Sequence, residues 1–301
     1  MSVFSVLPTP FDSTGGVDSD SLRRVIDLFI ADGVTGFTAL GVTSEVARLT
    51  ETERGHVLDV VLTHVNGRVP VVAGTSADGL RTCIEYTRRA RAAGAQSVMI
   101  SPPRMPKLNS DAVAKHFAAV ADAVDVPIVV QDYPPISGYT MEAALLARIA
   151  QEVPAARTIK LEDPPTPFKT SRILERTSGI NVRIFGGLGG VFLLEELLAG
   201  AAGAMTGFAF PAILVRIVSL FQSGQVDAAA DLFYRKVPLM RFEFQEGIGM
   251  AIRKEVLRRR GVIAASGIRP PGGTLDRTTL AALDRVMRWA GDESDSGANR
   301  L

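Results

Sequence analysis

Eight short apolar runs, separated by stretches with helical period, dominate this chain of 301 residues. The runs are Val3–Leu7, Gly36–Leu40, Val69–Ala73, Ser97–Ser101, Val126–Gln131, Arg157–Leu161, Val182–Phe185 and Ala204–Thr206. Strands that face water on one side alternate polar and apolar residues. Runs that are apolar throughout belong to strands covered on both faces, as in a parallel sheet packed under helices. The intervening segments carry the matching stripes: Leu22, Val25, Ile26, Phe29 and Ile30 on one, Val113, Phe117, Val120 and Val124 on another. Thr50 with Glu53 makes a capping box, and Gly33 and Gly94 stand where helix ends need a left-handed residue. Eight strand–helix units predict an α/β fold of the (β/α)8 TIM-barrel type. A doubly wound open sheet would carry a glycine-rich dinucleotide turn after its first strand, and the sequence there is Pro8-Thr9-Pro10-Phe11. The expected organisation is a barrel over 1–210 that holds the active site, a C-terminal helical region over 211–290 packed on it, and a flexible polar tail over 291–301.

Charge narrows the partners. The 33 basic side chains balance 32 acidic ones for a formal charge of +1, so neither nucleic acid nor a membrane surface is expected to bind. Leu197 to Val215 is uncharged over 19 residues, but Gly200, Gly203, Gly207 and Pro211 divide it into a helix end, a short strand and a helix start. The opening MSVFSVLPTPF lacks a basic n-region, so no signal peptide is expected. Cys83 is the single cysteine, which excludes an internal disulfide and fits a cytoplasmic protein. His56, His64 and His116 fall in helical stretches away from strand ends, and so few histidines argue against a dedicated metal site. Arg253-Lys254 with Arg258-Arg259-Arg260 reads as a solvated helix face.

Barrel enzymes place their reacting groups at the C-terminal ends of strands. The polar residues there are Thr43-Ser44-Glu45 after the second run, Arg104 after the fourth, Gln131-Asp132 after the fifth, and Lys160 with Glu162 on the sixth. Alternation puts Thr158, Lys160 and Glu162 on one face, so Lys160 points into the barrel if Ile159 and Leu161 face the helices. A charged amine there is costly unless paired, and the neutral form is what imine chemistry needs. Glu162, about 6.6 Å further along an ideal strand, could move a proton on C3 or C4 of a tethered substrate. An ion pair between the two at the barrel mouth is the plainer alternative. Gly186-Gly187-Leu188-Gly189-Gly190 and Gly41-Val42-Thr43-Ser44-Glu45 offer backbone amides to an anion, or are simply turns.

Thr9-Pro10-Phe11, Gly41-Val42-Thr43-Ser44-Glu45, Val126-Pro127, Ile159-Lys160 and Gly203-Ala204-Met205-Thr206, in this order, resemble the dihydrodipicolinate synthase / N-acetylneuraminate lyase family over essentially the whole chain. The resemblance implies a usually tetrameric barrel enzyme that forms a Schiff base between the strand-six lysine and a 2-oxo acid such as pyruvate. It makes Lys160 the nucleophile, gives the substrate carboxylate to Val42, Thr43 and Ser44, and lines the far side with Gly186, Gly187 and Met205. Four positions depart from the synthase pattern. Gln131 stands where the family's relay tyrosine would be, with Tyr133 two residues later. Val42 replaces a threonine, Arg104 a tyrosine lent across subunits, and Ile136 an arginine that binds aspartate semialdehyde. Gln131-Asp132 with Lys160-Leu161-Glu162 is similar instead to the subgroup acting on 2-keto-3-deoxy sugar acids. The expectation is therefore a class I lyase, an aldolase or dehydratase, in which Glu162 moves the proton while Gln131 and Thr43 orient the imine. It would use no metal or organic cofactor, because the substrate imine is the electron sink, and it would assemble as a homotetramer or dimer. Alternatives are dihydrodipicolinate synthase itself, a metal-dependent barrel aldolase, which the scarcity of histidine argues against, and a non-catalytic barrel that binds 2-oxo acids.

Overall fold

The computed structural model describes residues 1–290. The tail expected at 291–301 lies outside the described residues. The apolar runs form β1 (Ser2–Val6), β2 (Gly36–Ala39), β3 (Val71–Gly74), β4 (Ser97–Ile100), β5 (Ile128–Asp132), β6 (Thr158–Leu161), β7 (Arg183–Gly186) and β8 (Gly203–Thr206). Each pairs in parallel with the next, and β8 closes onto β1. The result is the (β/α)8 barrel that the sequence predicts.

Between the strands lie α1 (Ser19–Ala31), α2 (Glu51–Val65), α3 (Leu80–Ala92), α4 (Ser110–Ala123), α5 (Pro134–Ser137), α6 (Ala143–Glu152), α7 (Thr166–Arg176) and α8 (Leu193–Leu198). Their ends are set by local chemistry. Thr50 and Glu53 exchange backbone and side-chain hydrogen bonds at the start of α2. Gly33 and Gly94 turn the chain at φ +84° and +104° after α1 and α3, a region costly for any residue with a Cβ. The stripe Leu22, Val25, Ile26 and Phe29 is fully buried on α1.

Two cores result. The larger lies between strands and helices and includes Ile159 and Leu161. The smaller fills the barrel interior with Val72, Met99, Val129, Phe185 and Met205, and Phe4 meets Phe185 edge-on at 5.5 Å. Alternation along β6 therefore sends Lys160 inward.

After β8 come α9 (Pro211–Gln222), α10 (Val226–Glu243), α11 (Gly249–Arg259) and α12 (Arg277–Trp289). Because α9 packs against β1, it completes the ring of barrel helices. The boundary expected at residue 210 thus cuts through the barrel's own last unit, and the extension proper begins with α10. The uncharged stretch 197–215 is divided among α8, β8 and α9, and no helix among the described residues is long and apolar enough to cross a membrane.

One expectation is overturned in the extension. Arg253 and Lys254 do not belong to a solvated face: they are 5% and 1% exposed. Lys254 Nζ lies 2.5 Å from Glu45 Oε1, donates to the Gly267 carbonyl at 3.0 Å, and sits 4.2 Å from the Phe11 ring centroid. Arg253 Nε meets Glu243 Oε1 at 2.5 Å. The reason is tertiary: the turn after β2 supplies the carboxylate for Lys254, and the end of α10 supplies that for Arg253. Removing one partner of a buried pair strands the other charge, at a cost of about 3–5 kcal/mol. Lys254→Met should lower the unfolding free energy by roughly that amount in a urea titration. A loss below about 1 kcal/mol would show that Glu45 finds water or another partner.

Candidate active site

Strand register brings Gln131 of β5 directly beside Lys160 of β6, so both side chains enter the barrel together. Lys160 is 4% exposed, and its Nζ lies 3.1 Å from Glu162 Oε2. Gln131 Nε2 donates to the same oxygen at 2.7 Å, and Ser101 Oγ donates to Gln131 Oε1 at 3.0 Å. The four side chains form one buried hydrogen-bonded chain from the end of β4 to the end of β6. Glu162 follows β6 and is anchored by its own N–H, which donates to the Asp132 carbonyl at 2.9 Å. Its carboxylate folds back onto the amine instead of standing one strand pitch away, because the distance between Cα atoms does not fix where a long side chain ends. Gly187 makes the room, since a Cβ there would collide with the Glu162 side chain.

A cavity of about 530 Å³ opens at the barrel mouth between the turn after β2, the start of α5 and the corner joining α10 to α11. Val42 and Thr43 line it, and the Thr43 hydroxyl is buried without a hydrogen-bond partner. Tyr133 stands on its wall. Burial and the nearby charges of Glu162 and Glu246 push the Tyr133 phenol above its usual range. Ser44 has a different role from the one its motif suggests. Its hydroxyl donates to the Leu7 carbonyl at 2.5 Å and accepts from the Gly41 N–H at 3.1 Å, so it shapes the turn. Met205 belongs to the apolar layer inside the barrel, and Gly186 with Gly187 ends β7 and begins the following turn. Arg104 is not brought to the cavity. It is exposed, and its guanidinium donates to the Ile136 carbonyl at 2.7 Å.

Several buried polar groups escaped the sequence reading. Ser101 ends the fourth run as Gln131 ends the fifth, and that parallel was the available signal. Asp132, which the sequence reading named together with Gln131, faces outward and opposite to it, where Lys169 Nζ meets Asp132 at 2.5 Å and Asp163 at 2.8 Å. Burial still raises the Asp132 carboxyl to about 6. Glu196 fills the space left by the absent side chain of Gly186 and accepts from Thr166 Oγ1 at 2.6 Å. Burial lifts its carboxyl to about 8, with smaller contributions from the charges of Glu195 and Glu162. The spacing of α8 revealed none of this, because an acid inside a short helix ordinarily reads as surface.

A carboxyl that ionises near 4.5 when unfolded and near 8 when folded keeps its proton in the folded state between those values. Stability then falls as pH rises through that window. Glu196→Gln removes this loss. The difference in unfolding midpoint between variant and parent should move in the variant's favour from pH 4.5 to about 8 and then level off. A difference independent of pH would contradict a protonated Glu196.

Among the described residues, no group of three or more His, Cys, Asp or Glu side chains could hold a metal ion. The sequence model of the dihydrodipicolinate synthetase family matches residues 1–289. The chain is 34% identical to the L-2-keto-3-deoxyarabonate dehydratase of Azospirillum brasilense, covering 96% of each protein. It is 32% identical to the 4-hydroxy-tetrahydrodipicolinate synthase of Methanothrix thermoacetophila, covering 96% of this chain and 97% of that one. The crystal structure of dihydrodipicolinate synthase from Rhodopseudomonas palustris superposes with a TM-score of 0.90 at 33% identity, over 96% and 97% of the two chains.

Proposed function

The chain belongs to the dihydrodipicolinate synthetase family, whose members are Schiff-base lyases, and from that premise we propose that it dehydrates 2-keto-3-deoxy sugar acids through Lys160. The observation that carries this reading is the buried contact of Glu162 with both Lys160 and Gln131. Gln131 occupies the place of a relay phenol and cannot titrate as one does. Among the groups touching the amine, Glu162 is the one able to take and return a proton. Similarity to a 2-keto-3-deoxyarabonate dehydratase supports the substrate class.

In this reading the Lys160 nitrogen attacks the C2 carbonyl, and water leaves as the imine forms. The Glu162 carboxylate takes the amine's surplus proton and hands it to the departing water, so that it is ionised again. It next removes a proton from C3, and the electron pair runs into the protonated imine. The C4 hydroxyl then departs with a proton from Glu162, so one water is lost overall, and hydrolysis of the imine frees Lys160. Gln131 holds the Glu162 carboxylate in line, and Ser101 holds Gln131. Thr43 and the backbone at Val42 receive the substrate carboxylate, while Gly186, Gly187 and Met205 bound the far side.

The same reading places the protein in the cytoplasm as a homotetramer or dimer without a metal or organic cofactor. Burial of Cys83, whose thiol is pushed up to about 11, supports a cysteine that neither pairs nor reacts.

Borohydride reduction with pyruvate or a 2-keto-3-deoxy aldonate, followed by mass measurement, should give one adduct on Lys160 and none on Lys160→Ala. Glu162→Gln should still form the adduct while turnover of the aldonate falls by about 10²–10⁴-fold. Turnover that survives in this variant removes the assigned proton shuttle. Release of pyruvate would mean aldol cleavage in place of dehydration. Product from pyruvate with aspartate semialdehyde would restore the synthase reading, and an adduct without turnover would leave a binding protein.

A further inference from the structure

Beside the Thr43 hydroxyl lies a second buried donor with nothing to bind, and the proposed reaction does not use it. Arg253 is 5% exposed, with Nε tied to Glu243 Oε1 at 2.5 Å, yet its Nη1 has no hydrogen-bond partner. Both Arg253 and Thr43 line the 530 Å³ cavity. They converge over Gly207, the residue that follows β8. A Cβ at Gly207 would fall on Arg253 Nη1 and lie 3.0 Å from Thr43 Oγ1. The glycine therefore makes room for the guanidinium beside the hydroxyl.

Leaving a buried, charged N–H donor unsatisfied is expensive, and native folds seldom do so without a reason. Here the guanidinium is held rigidly in that state. Glu243 fixes it through Nε, and the carboxylate is itself fixed by the Ala209 N–H, 3.2 and 3.1 Å from its two oxygens. Glu243 is thus a positioning residue. It aims Nη1 and partly offsets the Arg253 charge until an anion arrives. A preorganised guanidinium corner with an adjacent hydroxyl suits a carboxylate, which can take a charge-assisted hydrogen bond from one and a neutral bond from the other.

We infer that Arg253 Nη1 and Thr43 Oγ1 together form the receptor for the carboxylate of the 2-oxo acid, and that Gly207 is the opening that lets Arg253 reach it. This gives the site selectivity for 2-oxo acids over neutral ketones. It rests on the reading of Lys160 as the imine-forming residue, and the test separates the two.

Imine trapping by borohydride is measured over a concentration series of pyruvate and of its neutral amide, pyruvamide. In Arg253→Met the half-saturating pyruvate concentration should rise about ten- to hundredfold, the loss of one charged hydrogen bond. That for pyruvamide should stay within about twofold, which also reports that the Lys160 site is intact. Gly207→Ala forces the guanidinium away from the Thr43 hydroxyl and should shift the pyruvate value in the same direction. Glu243→Gln combined with Arg253→Met guards against a fold damaged by a stranded carboxylate, and should reproduce the pyruvate-selective loss. Equal losses for both ligands, or none, overturn the receptor. Lactate, which cannot form an imine, supplies the independent reading: it should raise the unfolding temperature of the parent protein and not that of Arg253→Met. No trapping in the parent overturns the role of Lys160, whereas no stabilisation by lactate, or the same stabilisation in the variant, overturns the receptor.

Discussion

An amine inside an apolar barrel has to be answered by an acceptor, and much of the site's architecture follows from how Lys160 is answered. The layer of Val72, Met99, Val129, Phe185 and Met205 excludes water from beneath it. Desolvating an ammonium there costs several kcal/mol unless the geometry of its partner is good and the partner's remaining lone pairs are filled. Glu162 supplies the carboxylate, Gln131 fills a further lone pair on the same oxygen, and Ser101 orients the Gln131 amide. Gly187 is part of the same solution because no larger residue leaves space for the Glu162 side chain. Residues of β5 and β6 and of the turns after β4, β6 and β7 are thereby committed to one nitrogen.

Much of this was legible in the sequence, and for a definite reason. Strand number, parallel pairing and the inward direction of Lys160 depend on which residues are apolar and on a period of two, and both are local properties of the chain. Gly33, Gly94 and the Thr50–Glu53 box were readable because a helix end is solved within a few residues. The Arg253-Lys254 segment was misread because its partners, Glu243 and Glu45, lie 10 and 209 residues away. Charge density along a helix suggests water only until something else covers that face. Glu196 was invisible for the same reason, since its environment is made by Gly186 and Thr166 on other elements. Arg104 was placed near the site by its position after β4, but the loop turns its guanidinium to a carbonyl of the neighbouring α5.

The helical extension belongs to the site. Without α10 and α11, the turn after β2 would lose Lys254 as the partner of Glu45, and the cavity would lose the wall that carries Glu243 and Arg253. Arg269, bound to both Glu53 oxygens and stacked 4.3 Å from the Phe11 ring centroid, ties the segment after α11 to the start of α2. These contacts hold the Val42–Ser44 turn from above, while Ser44 holds it from below through Leu7. A turn pinned on both sides presents its amides and the Thr43 hydroxyl in one geometry. Such preorganisation lowers the entropy lost when a substrate is ordered.

Gln131, at the position where the family resemblance expects a phenol, has consequences for chemistry as well as for packing. A tyrosine beside the amine can pass a proton along a chain of hydroxyls, and a synthase joining two substrates needs protons delivered at several oxygens in turn. An amide can orient a neighbour but exchanges no proton. With Gln131 and Ser101 both engaged in holding Glu162, the proposed reaction concentrates acid–base work at the amine in one carboxylate. That carboxylate lies close enough to serve the nitrogen and, once a substrate is tethered there, the carbons attached to C2. Elimination of water across C3 and C4 asks for little more: a base at C3, then an acid for the departing hydroxyl, which one group can be in succession. Tyr133, on the cavity wall with its phenol raised by burial and by Glu162, is poorly suited to losing its own proton. The division of labour inside this barrel therefore favours a reaction that reuses a single proton carrier.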